Sequence, residues 1–133
     1  MLKVNCQNNM ITIKSHGFKF GRPDSNVYFD VSYLKNPWRD EDIRNEKDPK
    51  KRKEMMVKYM LDQEETELMV KMFCYLLEAY NSNWPDENIQ VSFCCSAGEY
   101  RSPVVADMVY AKLKKSYQGV SVELKQGPNS KLE

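Results

Sequence analysis

Apolar and polar positions alternate along parts of this chain with period two and along others with helical period, and the switches between them outline the elements. "MITIKSH" (10–16) sets Met10, Thr12 and Lys14 against Ile11 and Ile13, which predicts a strand. "NVYFDVSYL" (26–34), β-branched and aromatic, predicts a second. The two glycines and the proline of the intervening "GFKFGRPDS" mark a turn or loop. "KNPWRDEDIRNEKDPKKRKE" (35–54) is charged, interrupted by proline and almost free of apolar residues. It reads as an exposed loop, the best candidate for mobility, leading into a helix around 50–61.

In "EETELMVKMFCYLLEAY" (64–80), Met69, Met72, Phe73, Leu76 and Tyr80 fall on one face at helical spacing behind an acidic start, which predicts a helix. "NSNWPDEN" reads as a turn, and "IQVSFCC" (89–95) as a short strand with Ile89, Val91 and Phe93 on one side. From Pro103 onward, Val104, Val105, Met108, Val109 and Leu113 restore the helical period, with proline where a first helical turn favours it. "GVSVEL" (119–124) is a last strand, and 125–133 a polar tail. A strand, tight loop, helix and further strand form a βαβ unit. The expected fold is therefore a single α/β domain with a mostly parallel sheet, flanking helices and a phosphate-binding loop between a strand and a helix.

Composition narrows the function classes. The 133 residues suffice for one domain, its core expected at about 10–124. With 20 Lys plus Arg against 19 Asp plus Glu, overall charge gives no reason to expect nucleic acid, so any such role needs a local patch. Lys50, Lys51, Arg52 and Lys53 are the candidate, diluted by Glu46, Asp48 and Glu54. No apolar run approaches the roughly 18 residues that span a bilayer, and "MLKVNCQNNM" lacks the apolar centre of a signal peptide, so no membrane and a cytoplasmic address are expected. Four cysteines, Cys6, Cys74, Cys94 and Cys95, show neither zinc-site pairs nor disulfide density, which fits a reducing compartment. Cys74 and Cys94 read as buried apolar residues. Nothing calls for a metal or a cofactor.

The chemistry concentrates in "CSAGEYRS" (95–102). A strand that ends in small residues and feeds a helix turns several backbone N–H groups and the positive end of the helix dipole toward one point, an anion site. Arg101 adds a guanidinium that can hold phosphate through two parallel hydrogen bonds, and Ser96 and Ser102 add hydroxyls. Ala97 and Gly98 let the backbone curl, with Glu99 and Tyr100 completing the loop. At its base the dipole and Arg101 would favour Cys95 as thiolate. The loop thus reads as a cradle for phosphate or sulfate, as a nucleophile's seat, or as an ordinary strand-to-helix turn. His16 and Lys19, beside the sheet's end, are further candidates for lining it.

The same eight residues resemble the signature loop of cysteine-dependent protein tyrosine phosphatases. That resemblance implies Cys95 as nucleophile, Arg101 as phosphate binder and Ser102 as an aid to the leaving thiolate. Trp84-Pro85-Asp86 looks like that family's acid loop, with Asp86 as general acid, but eight residues separate Asp86 from Cys95 and most of them are needed for the strand.

A broader resemblance covers nearly the whole chain. "SHGFKFGRPDSNVYFDVSYLKNPW" (15–38) resembles the opening of the C-terminal domain of the RNase adapter protein RapZ, and "CCSAGEYRS" stands where that family has its GCTGG(K/R)HRS loop. Gly17, Phe18, Lys19, Gly21, Asp30, Asn36 and Pro37 fall on the first motif; Cys95, Ser96, Gly98, Arg101 and Ser102 fall on the second. The resemblance implies an α/β domain that senses glucosamine-6-phosphate, forms homo-oligomers and binds small RNA for delivery to an endonuclease. It also implies that the family's N-terminal nucleotide-binding domain is absent here. Tyr100 replaces the family's histidine before the loop arginine, Trp38 follows Pro37 directly where the family has an intervening histidine, and "VELKQGPNSKLE" replaces its basic tail. The expectation is a binding or regulatory module for a phosphorylated small molecule or an RNA phosphate, with a phosphatase as the alternative.

Overall fold

The structure, a computed structural model, describes residues 10–84, 86–117 and 119–132, so Cys6 and Pro85 lie outside the described residues. Its elements run β1 (Met10–Gly17), β2 (Val27–Asp30), α1 (Glu41–Asn45), α2 (Pro49–Leu61), α3 (Glu64–Asn83), β3 (Ile89–Cys95), α4 (Arg101–Ser116) and β4 (Ser121–Lys125), with 3-10 turns at Phe18–Phe20 and Pro37–Arg39. The four strands form one sheet in the order β2-β3-β1-β4, and every pairing is parallel. The chain is thus the single α/β domain that the βαβ pattern predicts.

Register decides which face is apolar. Ile11 lies opposite Ile89 and Ile13 opposite Val91, while Val27 and Phe29 lie opposite Val91 and Phe93. On this face Phe73 of α3 sets its ring 4.8 Å from Phe29 and 4.9 Å from Phe93. From α4, the fully buried Val104, Val105, Val109 and Leu113 join the same core, each contributing roughly 1.5–3 kcal/mol by its removal from water. The other face carries Thr12, Lys14, His16, Ser92 and Cys94, and the segment 18–26 crosses it. Lys14 Nζ donates to the Asp24 carbonyl at 2.8 Å and the Ser25 and Ser92 hydroxyls meet at 2.6 Å, tying that segment down.

Four features differ from the sequence pattern. The second strand stops at Asp30 rather than Leu34, and the chain then turns, with Asp30 Oδ1 accepting from the Ser32 amide at 2.9 Å. Segment 35–54 is largely helical instead of an open loop: Asn36 caps the Pro37–Arg39 turn, Asp40 caps α1, and Ile43 is fully buried. The buried residues of α3 are Thr66, Val70, Cys74, Leu77 and Asn81, while Met72 and Leu76 of the apolar face read from the sequence are 59% and 36% exposed. The polar tail is docked, because Leu132 is part of the hydrophobic core. The first two differences rest on single polar residues that cap local turns, and the docking of Leu132 on contacts distant in sequence.

The strand order also positions the site. From β1 the chain passes over β3 to reach β2, and from β3 it passes over β1 to reach β4. Adjacent central strands whose connections leave in opposite directions create a switch point, and ligands of open α/β sheets bind there, outside the carboxyl ends of the strands.

Candidate functional site

At that switch point the loop after β3 meets the loop after β1. Gly98 has φ 71°, a conformation that side chains disfavour, and a β-carbon on it would stand 2.7 Å from the Gly17 nitrogen. A β-carbon on Gly17 would stand 2.4 Å from the Ala97 carbonyl carbon. Two main-chain bonds hold the loop from outside: the Lys19 amide donates to the Ser96 carbonyl at 3.0 Å, and the Lys131 amide to the Glu99 carbonyl at 2.8 Å. Within a trans peptide plane C=O and N–H point oppositely. Turning these carbonyls outward therefore turns the Ala97 and Tyr100 amides the other way.

Cys95 and Ser102 form the base. The Cys95 thiol donates to Ser102 Oγ at 3.2 Å, the Ser102 amide donates to Cys95 Sγ at 3.4 Å, and Ser102 Oγ donates to the His16 carbonyl at 3.3 Å. Cys95 is 2% exposed and Ser102 fully buried. The start of α4 carries no acidic residue in its first turn and no side-chain cap, while Glu99, just before the N-cap Tyr100, stands at the edge of the hollow. At neighbouring Cys94, burial, then Asp30 and Cys95, push the thiol up to about 12. It is an uncharged thiol on the sheet's polar face.

Arg101 links two hollows. Its Nη1 donates to the Ser32 carbonyl and, at 3.3 Å, to the Leu34 carbonyl, and its Nη2 donates to Ser96 Oγ at 3.2 Å. Its buried Nε has no hydrogen-bond partner among the described residues. One hollow, of about 30 Å³, is lined by Cys95, Ser96, Ala97, Glu99, Tyr100 and Arg101 of the loop and by Asn36. The other, of about 350 Å³, shares Asn36 and Arg101 and adds Ser32, Tyr33, Lys35 and Arg39. Three cationic side chains border this larger space, and no acidic side chain lines it among the described residues.

The sequence candidates divide accordingly. Cys95, Ser96, Ala97, Glu99, Tyr100 and Arg101 line the small hollow, with Gly98 and Ser102 supporting it from behind. His16 turns its imidazole away, with Nε2 2.8 Å from the Gly21 carbonyl, which makes Nε2 the donor. Lys19 contributes its amide, while its ammonium sits 5.3 Å over the Phe20 ring. In the basic run, Lys51 pairs with Glu46 and Lys53 with Asp107, each at 3.6 Å, and Arg52 donates to the Glu46 carbonyl at 3.1 Å. Asp86 precedes β3 and Cys95 ends it; at 3.3 Å per residue the strand alone separates them by about 20 Å. Lys35 and Arg39 were absent from the sequence candidates. Their nearest signal was their position beside Asn36 and Pro37, inside the first motif.

The family described as the RapZ C-terminal domain matches residues 9–127. The chain belongs to that family. Among its curated relatives is a "nucleotide-binding protein" of Clostridium kluyveri, 31% identical over 86% of this chain and 39% of its own length. Another of the same description, from Clostridium beijerinckii, is 36% identical over 85% of this chain and 39% of its length. A third, from Saccharophagus degradans, is 28% identical over 87% and 40%. The chain thus spans about two fifths of the relatives it matches. In this RapZ C-terminal domain the rings of Tyr100 and Trp38 stack, their centroids 4.7 Å apart and their planes 9° apart. Burial, then Glu99, raises the Tyr100 phenol above its ordinary range, against a smaller opposing effect of Arg52. No helix among the described residues is long and apolar enough to cross a membrane.

Proposed function

We propose that this domain is a binding and regulatory module that holds a phosphorylated ligand, its phosphate at the Cys95–Ser102 loop and the remainder in the hollow bordered by Lys35, Arg39 and Arg101. The observation that carries this reading is the 350 Å³ hollow itself, lined by Lys35, Arg39 and the loop arginine Arg101. Its volume lies at the lower end of the roughly 300–1,000 Å³ of small-molecule sites, the scale of a phosphosugar or a mononucleotide. The relatives are described as nucleotide-binding proteins, which favours a nucleotide, although three fifths of their length lies outside the match. Membership in the family extends the proposal to RNA phosphate, a homo-oligomer and a cytoplasmic location, and three buried free thiols suit a reducing compartment.

Calorimetry with inorganic phosphate, glucosamine-6-phosphate and nucleoside monophosphates, on wild type and Arg101→Ala, tests this. Arg101→Ala is expected to weaken binding by roughly tenfold or more, the value of a hydrogen bond to a charged group. Equal affinities would sink the reading. An RNA contribution from Lys50 to Lys53 would show as affinity that falls steeply with salt and with their substitution.

One observation favours a second reading, a cysteine-dependent phosphatase: the Ser102 amide and hydroxyl both lie within hydrogen-bond reach of Cys95 Sγ, where they would stabilise a thiolate. Asp86 stands at the other end of β3 and supplies no acid there. Hydrolysis of an aryl phosphate that vanishes in Cys95→Ser would establish this alternative.

A further inference from the structure

The segment that follows β4 looks dispensable in sequence and touches β1, α4 and the anion loop itself. Gln126 Nε2 donates to the Pro103 carbonyl in the first turn of α4 at 2.9 Å. The Gly127 amide donates to Ser15 Oγ near the end of β1 at 2.9 Å, so closely that a β-carbon on Gly127 would stand 2.6 Å from the Ser15 carbonyl oxygen. The Ser130 amide closes a turn on the Gly127 carbonyl at 3.1 Å, and the Lys131 amide then reaches Glu99. Leu132, 3% exposed, anchors the end in the core.

We propose that Gln126–Leu132 is a strap that sets the affinity of the anion loop, with the Lys131 amide as its positioning group and Leu132 as its anchor. This rests on the phosphate-binding reading above and adds to it the device that keeps the loop's donors convergent. A loop whose carbonyls can rotate inward presents negative oxygen to an anion in place of positive N–H. Among the described residues the Glu99 carbonyl is held outward by the Lys131 amide, whereas Lys19 holds the Ser96 carbonyl. Releasing Lys131 therefore frees the Glu99–Tyr100 peptide plane while the Ser96–Ala97 plane stays fixed. The Lys131 side chain, exposed, has no part in this.

Three variants of the full chain separate the strap from its alternatives. Lys131→Pro removes the one donor, because proline has no N–H; Lys131→Ala removes the side chain and keeps the donor; Leu132→Ala loosens the anchor without touching the main chain. Titration with inorganic phosphate, followed by calorimetry and by the amide shifts of Ala97 and Tyr100, reads the outcome. Lys131→Pro and Leu132→Ala are expected to weaken phosphate about tenfold, with the Tyr100 amide losing its phosphate-induced shift and Ala97 keeping it; Lys131→Ala should bind as wild type. Wild-type affinity in both Lys131→Pro and Leu132→Ala would overturn the strap, as would equal loss in Lys131→Ala. A wild type that binds no phosphate would instead overturn the anion-site reading, and the strap's role with it.

Discussion

Gly17 and Gly98 meet main chain to main chain, and neither has room for a single carbon more. The end of β1 is thereby fitted to the loop after β3. Gly17→Ala should destabilise the domain by about 1–3 kcal/mol, the cost of forcing atoms into filled space, and Gly98→Ala should add the strain of its positive φ. Gly119→Ala meets open space and should cost only the conformational part, roughly 1 kcal/mol. Urea denaturation of the three variants checks the order.

The stacked pair of Trp38 and Tyr100 joins the wall of the larger hollow to the loop. A double-mutant cycle with Trp38→Ala and Tyr100→Ala should show a coupling of about 0.5–1.5 kcal/mol in stability. Trp38→Ala should also weaken phosphorylated ligands, since the 36–39 turn would lose its hold on the loop. Additive variants would show that the two rings are merely adjacent.

Two buried thiols make stability sensitive to alkali. Burial raises Cys74 from an ordinary 9.0 to about 11 and Cys94 to about 12, so the folded state holds these protons more tightly than the unfolded chain. A raised pKa of this kind leaves stability whole below pH 9 and erodes it as pH rises toward 11 and 12. Thermal melts from pH 8 to 11 should show this decline, and Cys94→Ala should flatten it.

The two apolar faces of α3 should respond oppositely to substitution. Leu77→Ala, at a fully buried site, is expected to cost about 2–5 kcal/mol. Met72→Lys and Tyr75→Lys, at sites 59% and 72% exposed, should fall within about 0.5 kcal/mol of wild type. Chemical denaturation would reveal a reversed inward face as a reversal of these costs.

That same helix shows where sequence reading ended. Val70, Cys74 and Leu77 share one helical face and Leu68, Met72 and Tyr75 another, so periodicity establishes a helix without choosing its inner side. β3 and its loop were legible because alternation, small residues and a following helix agree over one short stretch. Lys35 and Arg39 were not, because what places them is the Pro37–Arg39 turn capped by Asn36 and the two hydrogen bonds between the Lys35 main chain and the distant Gln63 side chain. The docked end was invisible for a similar reason: a main-chain amide leaves no mark in the sequence, and Leu132 is one apolar residue among polar neighbours.

The main-chain bond from Lys131 to Glu99 has a consequence for folding. The site draws on Gly17, the 32–39 segment, the 95–102 loop and Lys131, spread over more than a hundred positions of sequence. Its pieces converge only when both edges of the sheet and the closing segment are in place. A partly folded chain therefore lacks the complete candidate site, and a ligand bound there would draw its binding free energy toward the fully native state. Occupancy would then register as cooperative protection along the entire chain, from the first strand to its last turn.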